Sequence, residues 1–344
     1  MRAQAFLGRG SALMTKGEID SAIRDYDEAI ALDPNNFLAF NNRGFAYAGK
    51  GNYERAVQDY NKALLLNPSA ALTLYNRGFA LAAKGEFDRA IEDYGRAIER
   101  NDGFSQAFLN RGFAYAAKGE FDRAIADYDQ AIRINPEVAI AFYNRGVAHA
   151  RKSDFILAIR DYDNAINLDR GYVWAYLRRG EAYANMSDFA HAIADYDEVI
   201  RLDPGNAKAF DDRGFAQASK GDFDSAVRDY GEAIRLDPTY ANAFYNRGSA
   251  YAERHQFERA IADYDQAIRL APDFAQAFGN RGFVHAINGN YDRAIEDFNR
   301  AIALVPNSAT ALLNRGIVRL KKGDYMGGRA DIAQAKLMNP GLGN

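Results

Sequence analysis

The dipeptide Arg-Gly recurs ten times along this chain, at Arg9/Gly10, Arg43/Gly44, Arg77/Gly78, Arg111/Gly112, Arg145/Gly146, Arg179/Gly180, Arg213/Gly214, Arg247/Gly248, Arg281/Gly282 and Arg315/Gly316. The spacing is 34 residues each time (43 minus 9, 77 minus 43), with no insertion. A period this strict requires that every unit meet its neighbours in one geometry, which stacked supersecondary units do and independent globules do not. Counted from Ala3, the repeats begin at residues 3, 37, 71, 105, 139, 173, 207, 241, 275 and 309. They predict one domain over residues 3–342, with short tails at 1–2 and 343–344.

Within the fourth repeat, Asn110 to Ile132 shows helical spacing of apolar residues twice, broken at Lys118/Gly119. That is the pattern of an αα-hairpin. Glycine can take the left-handed conformation that ends a helix, Lys118 suits the negative helix end, and Glu120 and Asp122 suit the start of the next. All eight prolines fall in one slot after the second helix, as at Pro136, where proline cannot continue the helix. The third and fifth repeats put Asp102 and Arg170 there, so their exits are expected to be the least sharply defined. Small residues mark helix contacts: the Arg-Gly glycine on the first helix and, on the second, the alanine column that includes Ala124, replaced only at Gly328. Tyr128 and its counterparts, with the aromatics of the Phe121 slot, are expected to fill the wedge between hairpins. Each burial contributes roughly 1.5 to 3 kcal/mol against an ordering cost of about 1 to 2 kcal/mol per residue, so one hairpin alone is not expected to fold.

In the fourth repeat, Phe108, Gly112, Tyr115, Ala124, Tyr128 and Ala131, followed by Pro136, resemble the tetratricopeptide repeat pattern, and the resemblance covers residues 3 to 342. It implies an all-α fold, a right-handed superhelical solenoid of ten helix-turn-helix hairpins, without a domain boundary. The departure is systematic: the family usually places Leu before the glycine, and this chain has Arg in all ten repeats. Ten arginines could form a basic track for anions. Every repeat, however, has Asp sixteen residues after that Arg, from Asp25 to Asp331. In a hairpin folded at its midpoint the two slots lie opposite, so a bidentate Arg-Asp pair that fixes register is the favoured reading.

A solenoid of this kind has a concave face lined by first helices. The resemblance assigns the groove-facing slots of the fourth repeat to Gln106, Leu109, Asn110, Phe113, Ala116 and Ala117. The Asn110 slot is Asn in seven repeats: Asn42, Asn76, Asn110, Asn144, Asn246, Asn280 and Asn314. A carboxamide carries donors and an acceptor, so such a column can bond the backbone of an extended peptide, similar to the asparagine ladder in the repeat domain of O-linked N-acetylglucosamine transferase. The same residues could instead join neighbouring helices. Phe45, Phe79, Phe113 and Phe215, with Tyr143 and Tyr245 from a second column, are candidates for contacting a ligand's side chains. The pattern breaks in the sixth and seventh repeats, which place Trp174, Arg178, Glu181, Asn185, Lys208, Asp211 and Asp212 in groove slots. Either a specificity site, with Trp174 as anchor and Arg178 for an anionic group, or drift on a solvated surface accounts for the break.

Formal net charge is −3, with Lys and Arg spread evenly, which argues against nucleic acid as a partner. No cysteine is present, the four histidines lack ligand spacing, and there is no phosphate loop or nucleophile elbow, so neither metal, cofactor nor catalysis is expected. No run of about 18 apolar residues exists and the first residues lack a signal-peptide core. A soluble protein is expected, cytoplasmic, or exported if an N-terminal segment has been removed from a longer chain. The expected function is a non-catalytic scaffold that binds a protein or peptide segment in its groove. The alternative is a structural protein that self-assembles through its repeat ends or edges. Arg329 and Lys336 occupy slots that are apolar in internal repeats, marking a C-terminal cap, whereas Ala5, Phe6, Ala12 and Leu13 make the N-terminal end apolar and a candidate contact for a homo-oligomer. A third reading, an engineered consensus array, is opposed by the irregular sixth repeat.

Overall fold

In the computed structural model, residues 1–341 are described, and they form twenty helices and no strand. The helices follow the repeat frame in pairs. Arg2–Thr15 with Ile19–Leu32, Phe37–Gly49 with Tyr53–Leu66, Ala71–Ala83 with Phe87–Arg100, Ser105–Ala117 with Phe121–Ile134, and Ala139–Arg151 with Phe155–Leu168 are the first five hairpins. Val173–Asn185 with Phe189–Leu202, Ala207–Ser219 with Phe223–Leu236, Ala241–Glu253 with Phe257–Leu270, Ala275–Ile287 with Tyr291–Leu304, and Ala309–Lys322 with Tyr325–Met338 are the rest. The chain divides into two compact units, Met1–Ala175 and Tyr176–Asn344. Within each, every hairpin packs on the next along the sequence.

The turn inside each hairpin needs a left-handed residue. Gly17, Gly51, Gly85, Gly119, Gly221, Gly289 and Gly323 supply it at φ between 74° and 93°, while Ser153, Ser187 and His255 adopt φ of 64°, 61° and 57° in the same slot. A side chain there costs about 1–2 kcal/mol in backbone strain. The turn lysines do more than complement helix ends: Lys118 Nζ bonds Glu120 at 2.9 Å and reaches back to Asp88 of the preceding hairpin at 2.5 Å. Lys84 makes the equivalent bond to Glu54 at 2.6 Å.

The exits at Asp102 and Arg170 differ from the sequence expectation. Both close into the same two-residue turn as the proline repeats. The cause lies one residue earlier, where Asn101 Oδ1 accepts the Gly103 N–H at 3.2 Å and Asp169 Oδ1 accepts the Gly171 N–H at 2.9 Å. The same bond forms beside proline, from Glu137 N–H to Asn135 at 3.1 Å. The side-chain oxygen mimics a backbone turn and sets the corner without help from proline.

Small residues place the core. A Cβ built on Gly112 would lie 2.7 Å from Tyr128 Cε1 and 3.2 Å from the Ala124 carbonyl oxygen, so only glycine admits this approach of the two helices. Tyr128 is 1% exposed, and the alanines at 124 and 131 are equally enclosed.

Candidate functional site

The ten arginines are committed to structure. Arg111 Nε and Nη2 donate to Asp127 at 2.8 and 2.7 Å, and the same two-pronged pair joins Arg and Asp sixteen residues apart in every repeat, Arg9–Asp25 and Arg315–Asp331 included. The third nitrogen often reaches the preceding hairpin: Arg43 Nη1 lies 2.6 Å from Asp27, Arg213 Nη1 lies 2.6 Å from Asp197, and Arg77 Nη1 donates to Asn61 at 2.8 Å. One guanidinium thus registers its own hairpin and ties it to a neighbour, which the Leu usual in the family cannot do. Each Arg of the aromatic-bearing repeats also stacks over the ring three residues earlier, as Arg111 does over Phe108 at 5.6 Å. These pairs specify geometry more than they add stability, because desolvation offsets much of the attraction.

The opposite impression comes from the outward face of the first helices. Phe45, Phe79 and Phe113 in the first unit and Phe215 and Phe283 in the second are each about half exposed. Leu38, Leu72 and Ile140, seven residues before Phe45, Phe79 and Val147, are exposed as well. Residues seven apart on a helix share a face, and the asparagine column lies between them. Repeats two to five of the first unit therefore present, per helix, an apolar or amide side chain, an Asn and a second apolar side chain, with no charge in the three slots. The resemblance places this slot in the groove at Gln106 of the fourth repeat, and Leu38, Leu72 and Ile140 make it apolar in the other three.

The asparagines are partly engaged with their neighbours. Asn76 Nδ2 donates to Asn41 at 3.5 Å, Asn110 to the Tyr75 hydroxyl at 3.0 Å, Asn246 to Asp211 at 2.9 Å and Asn280 to the Tyr245 hydroxyl at 3.1 Å, always to the residue 35 positions earlier. Asn42 bonds Ser11 at 3.4 Å and Asn41 at 3.1 Å. Asn144 and Asn314 are half-buried in the equivalent slots. Joining of helices is thus one role of the column: Asn76, Asn110 and Asn246 each donate one Nδ2 bond, Asn42 also accepts from Asn41 at its carbonyl, and Asn280 Nδ2 reaches Ser249 as well as Tyr245. Tyr143 and Tyr245 sit deeper than the Phe column: Tyr143 packs on Tyr162 and Tyr172 at 6.0 and 5.1 Å between centroids, and Tyr245 on Tyr264 and Phe274 at 5.9 and 4.8 Å.

The irregular stretch forms a charged cluster in the second unit. Glu181 accepts from Arg178 Nη1 at 2.7 Å and from Lys208 Nζ at 2.8 Å, and Lys208 also holds Asp212 at 2.6 Å. Burial pushes the Glu181 carboxyl up and the bonds from Lys208 and Arg178 more than reverse it, leaving it below its ordinary value. For Asp212 burial prevails over Lys208, and the carboxyl is pushed up to about 6. Asp211, buried beneath, is raised by burial despite accepting from Asn246 and from the Tyr240 hydroxyl at 3.2 Å. Arg178 is therefore occupied by Glu181 rather than held open for an anion. Trp174, in the first unit, is 56% exposed.

At the ends, Arg329 and Lys336 are exposed, as their slots suggested. The N-terminal face is less apolar than the sequence alone indicated. Phe6 and Leu13 are half-buried against the hairpin's own core, and the Arg9 guanidinium covers the Phe6 ring at 5.3 Å. No helix among the described residues is long and apolar enough to cross a membrane.

Family models agree with the repeat frame. One described as TPR repeat matches residues 10–51, 112–153 and 217–255, and two described as tetratricopeptide repeat match residues 37–70, 71–104 and 173–206, and residues 245–309 and 285–336. Among solved structures, the chain is similar to the C-terminal part of a TPR repeat-containing protein from Cytophaga hutchinsonii, at 22% identity over 70% of this chain and 98% of that one, TM-score 0.59. It is similar to a tetratricopeptide repeat protein from Parabacteroides merdae at 19% identity over 72% and 98%, TM-score 0.54. It also matches YrrB, described as a TPR protein with an unusual peptide-binding site, at 25% identity over 54% and 96%, TM-score 0.49. The first two likenesses show the fold. No curated protein matches the chain.

Proposed function

Because the chain belongs to the tetratricopeptide repeat family, whose repeats mark protein-interaction scaffolds, we propose that it holds an extended segment of another protein along the outward face of its first helices, without catalysis. The observation that carries this reading is the uncharged face of repeats two to five, where half-exposed Phe45, Phe79 and Phe113 and exposed Leu38, Leu72 and Ile140 flank Asn42, Asn76, Asn110 and Asn144. Contiguous exposed apolar surface of this kind marks interaction sites. An extended segment exposes one unpaired N–H and C=O per residue, and the carboxamide capacity that Asn76 and Asn110 do not use between helices satisfies them whatever the ligand's sequence. The apolar columns then select its side chains. An uncharged face pays nothing to bury neutral residues, whereas a charged ligand side chain laid on it would lose hydration without a partner.

The test uses a displayed library of ten-residue peptides. Selected sequences should be rich in apolar residues and poor in Asp, Glu, Lys and Arg. Binding measured by fluorescence anisotropy should weaken at least roughly tenfold both for Asn76, Asn110 and Asn144 changed together to Ala and for Phe45, Phe79 and Phe113 changed together to Ser, since several contacts of about 0.5–1.5 kcal/mol are lost. Circular dichroism should be unchanged. Equal affinity in both variants would remove the reading.

A further inference from the structure

Three departures from the repeat pattern meet in the eighth hairpin, inside the second unit. Ser249 stands in a slot that five repeats fill with phenylalanine, Phe215 before it and Phe283 after it among them. Glu253 is the last residue of the helix Ala241–Glu253, and no other first helix ends on an acidic residue. The negative end of a helix repels a carboxylate, so the choice is locally unfavourable. His255 holds the left-handed turn at φ 57°, where seven repeats use glycine and two use serine. That choice strains the backbone.

All three residues line one cavity of about 330 Å³ between the eighth and ninth hairpins, which serine in place of a phenyl ring leaves open. His255 sets its ring edge-on to Phe257 at 5.7 Å, and both form part of the wall. Phe283 and Ile287 form another part and are each 51% exposed, so a ring face and an aliphatic surface are available to a guest. Glu253 is the one carboxylate on the walls, and no Lys or Arg lines them. Among the described residues no cation pairs with it, since the adjacent Arg254 is taken by Asp224 at 2.7 Å. Its charge reaches the Tyr264 hydroxyl beneath, where burial first and the carboxylate in small part hold the phenol up at about 12. The first repeat is an internal control. Ser11 there accepts from Tyr26 and Asn42 at 3.5 and 3.4 Å, as Ser249 does from Tyr264 and Asn280 at 3.2 and 3.5 Å. Thr15 and Gly17, however, stand in the slots of Glu253 and His255. Locally costly residues gathered on one cavity point to a function that the hairpin itself does not require.

We propose that this cavity is a recognition pocket for an arginine side chain of a partner protein. The guanidinium lies over the exposed Phe283 ring, its fork of donors meets the Glu253 carboxylate, and its alkyl stem covers Ile287. The negative helix end, a liability for Glu253 alone, adds to the attraction for a cation. Lysine brings the charge without the plane or the fork. Citrulline brings the shape without the charge. The pocket is independent of the uncharged face of repeats two to five, which belongs to the first unit. A site for one side chain binds at millimolar strength and does not govern peptide selection on that larger face.

The experiment is NMR on the full chain, titrated with acetyl-arginine amide, acetyl-lysine amide and acetyl-citrulline amide. The arginine compound should shift the backbone amides of Glu253, His255, Phe283 and Ile287. It should bind about three- to fivefold tighter than citrulline, as one exposed ion pair allows, and tighter than lysine. Glu253→Gln should remove the preference over citrulline. Ser249→Phe, which installs the residue of five other repeats and so retains the fold by circular dichroism, should fill the space and abolish the shifts. His255→Gly should raise the melting temperature and yet weaken arginine binding about twofold or more. The proposal is overturned if millimolar acetyl-arginine amide leaves these amides unmoved, if citrulline or lysine binds as tightly, if the shifts survive Ser249→Phe, or if His255→Gly binds arginine undiminished. Shifts confined to repeats two to five overturn the pocket and spare the groove. A pocket that takes arginine in a chain whose repeats two to five bind no peptide supports the pocket and overturns the groove.

Discussion

Gly112→Ala and Gly279→Ala are the same chemical change in the interior of two first helices, and they should move stability in opposite directions. In an open helix the change stabilises by about 1 kcal/mol, because Ala loses less backbone entropy. Gly279 meets that condition, with nothing within 4 Å of the new Cβ. At Gly112 the new Cβ would stand 2.7 and 2.9 Å from Tyr128 Cε1 and Cδ1. The tyrosine ring is enclosed, and moving the helices apart would stretch the Arg111–Asp127 pair at 2.7 Å. Overpacking of this kind costs about 1–3 kcal/mol and, with the enclosed ring putting Gly112 toward the upper end, should outweigh the propensity gain, for a net loss of up to about 2 kcal/mol. A repeat array opens locally rather than in one step, so native-state hydrogen exchange is the suitable assay. Amides of Phe121–Ile134 should lose protection in Gly112→Ala, and those of Ala275–Ile287 should gain it in Gly279→Ala. Adding Tyr128→Leu to Gly112→Ala should cost less than the two single changes combined. Unchanged or higher protection around Tyr128 in Gly112→Ala would refute the claim that the glycine is there for close approach.

Other outcomes follow from the same geometry. Ser153→Gly, Ser187→Gly and His255→Gly should each stabilise by about 0.5–1 kcal/mol in thermal unfolding, since each relieves a left-handed side chain. Gly95→Asp should stabilise by about 0.5–1 kcal/mol and lose part of that gain in 1 M salt (roughly a 3 Å Debye length): a Cβ there lies 3.5 Å from Arg111 Nη1, in the slot where Asp27 pairs with Arg43. Asp212, whose carboxyl is raised to about 6 in the folded chain, takes up its proton there more readily than when unfolded. Its contribution is therefore greatest below about pH 4 and is lost as pH rises through 6, and Asp212→Asn should remove this part of the pH dependence measured by urea unfolding. His285 is buried with Nδ1 unpartnered, and burial lowers its pKa. His285→Leu, matching Leu81 in the same slot, should stabilise by about 1 kcal/mol, a gain that grows as the pH falls; a loss of stability would mean that Nδ1 has a partner.

The hairpin fold, its turns and the Arg-Asp pairs were legible in the sequence because each depends on spacing within one repeat. A 3.6-residue phase sets which side of a helix is apolar, a glycine marks a left-handed turn, and residues sixteen apart in a hairpin must face each other. Ten copies turn such local rules into certainty about the unit. What lies between units was decided only by tertiary structure. The Phe45 and Tyr143 columns are both apolar columns on the first helix, yet the first is half exposed and the second packs between hairpins. The asparagine column offers the same carboxamide in seven repeats, and whether an N–H is spent on a neighbour depends on what stands 35 residues earlier and how near the stacking brings it. Gly279 reads in sequence as one irregular residue. Only the packing shows that a Cβ there would meet nothing within 4 Å, whereas one at Gly112 would strike the Tyr128 ring.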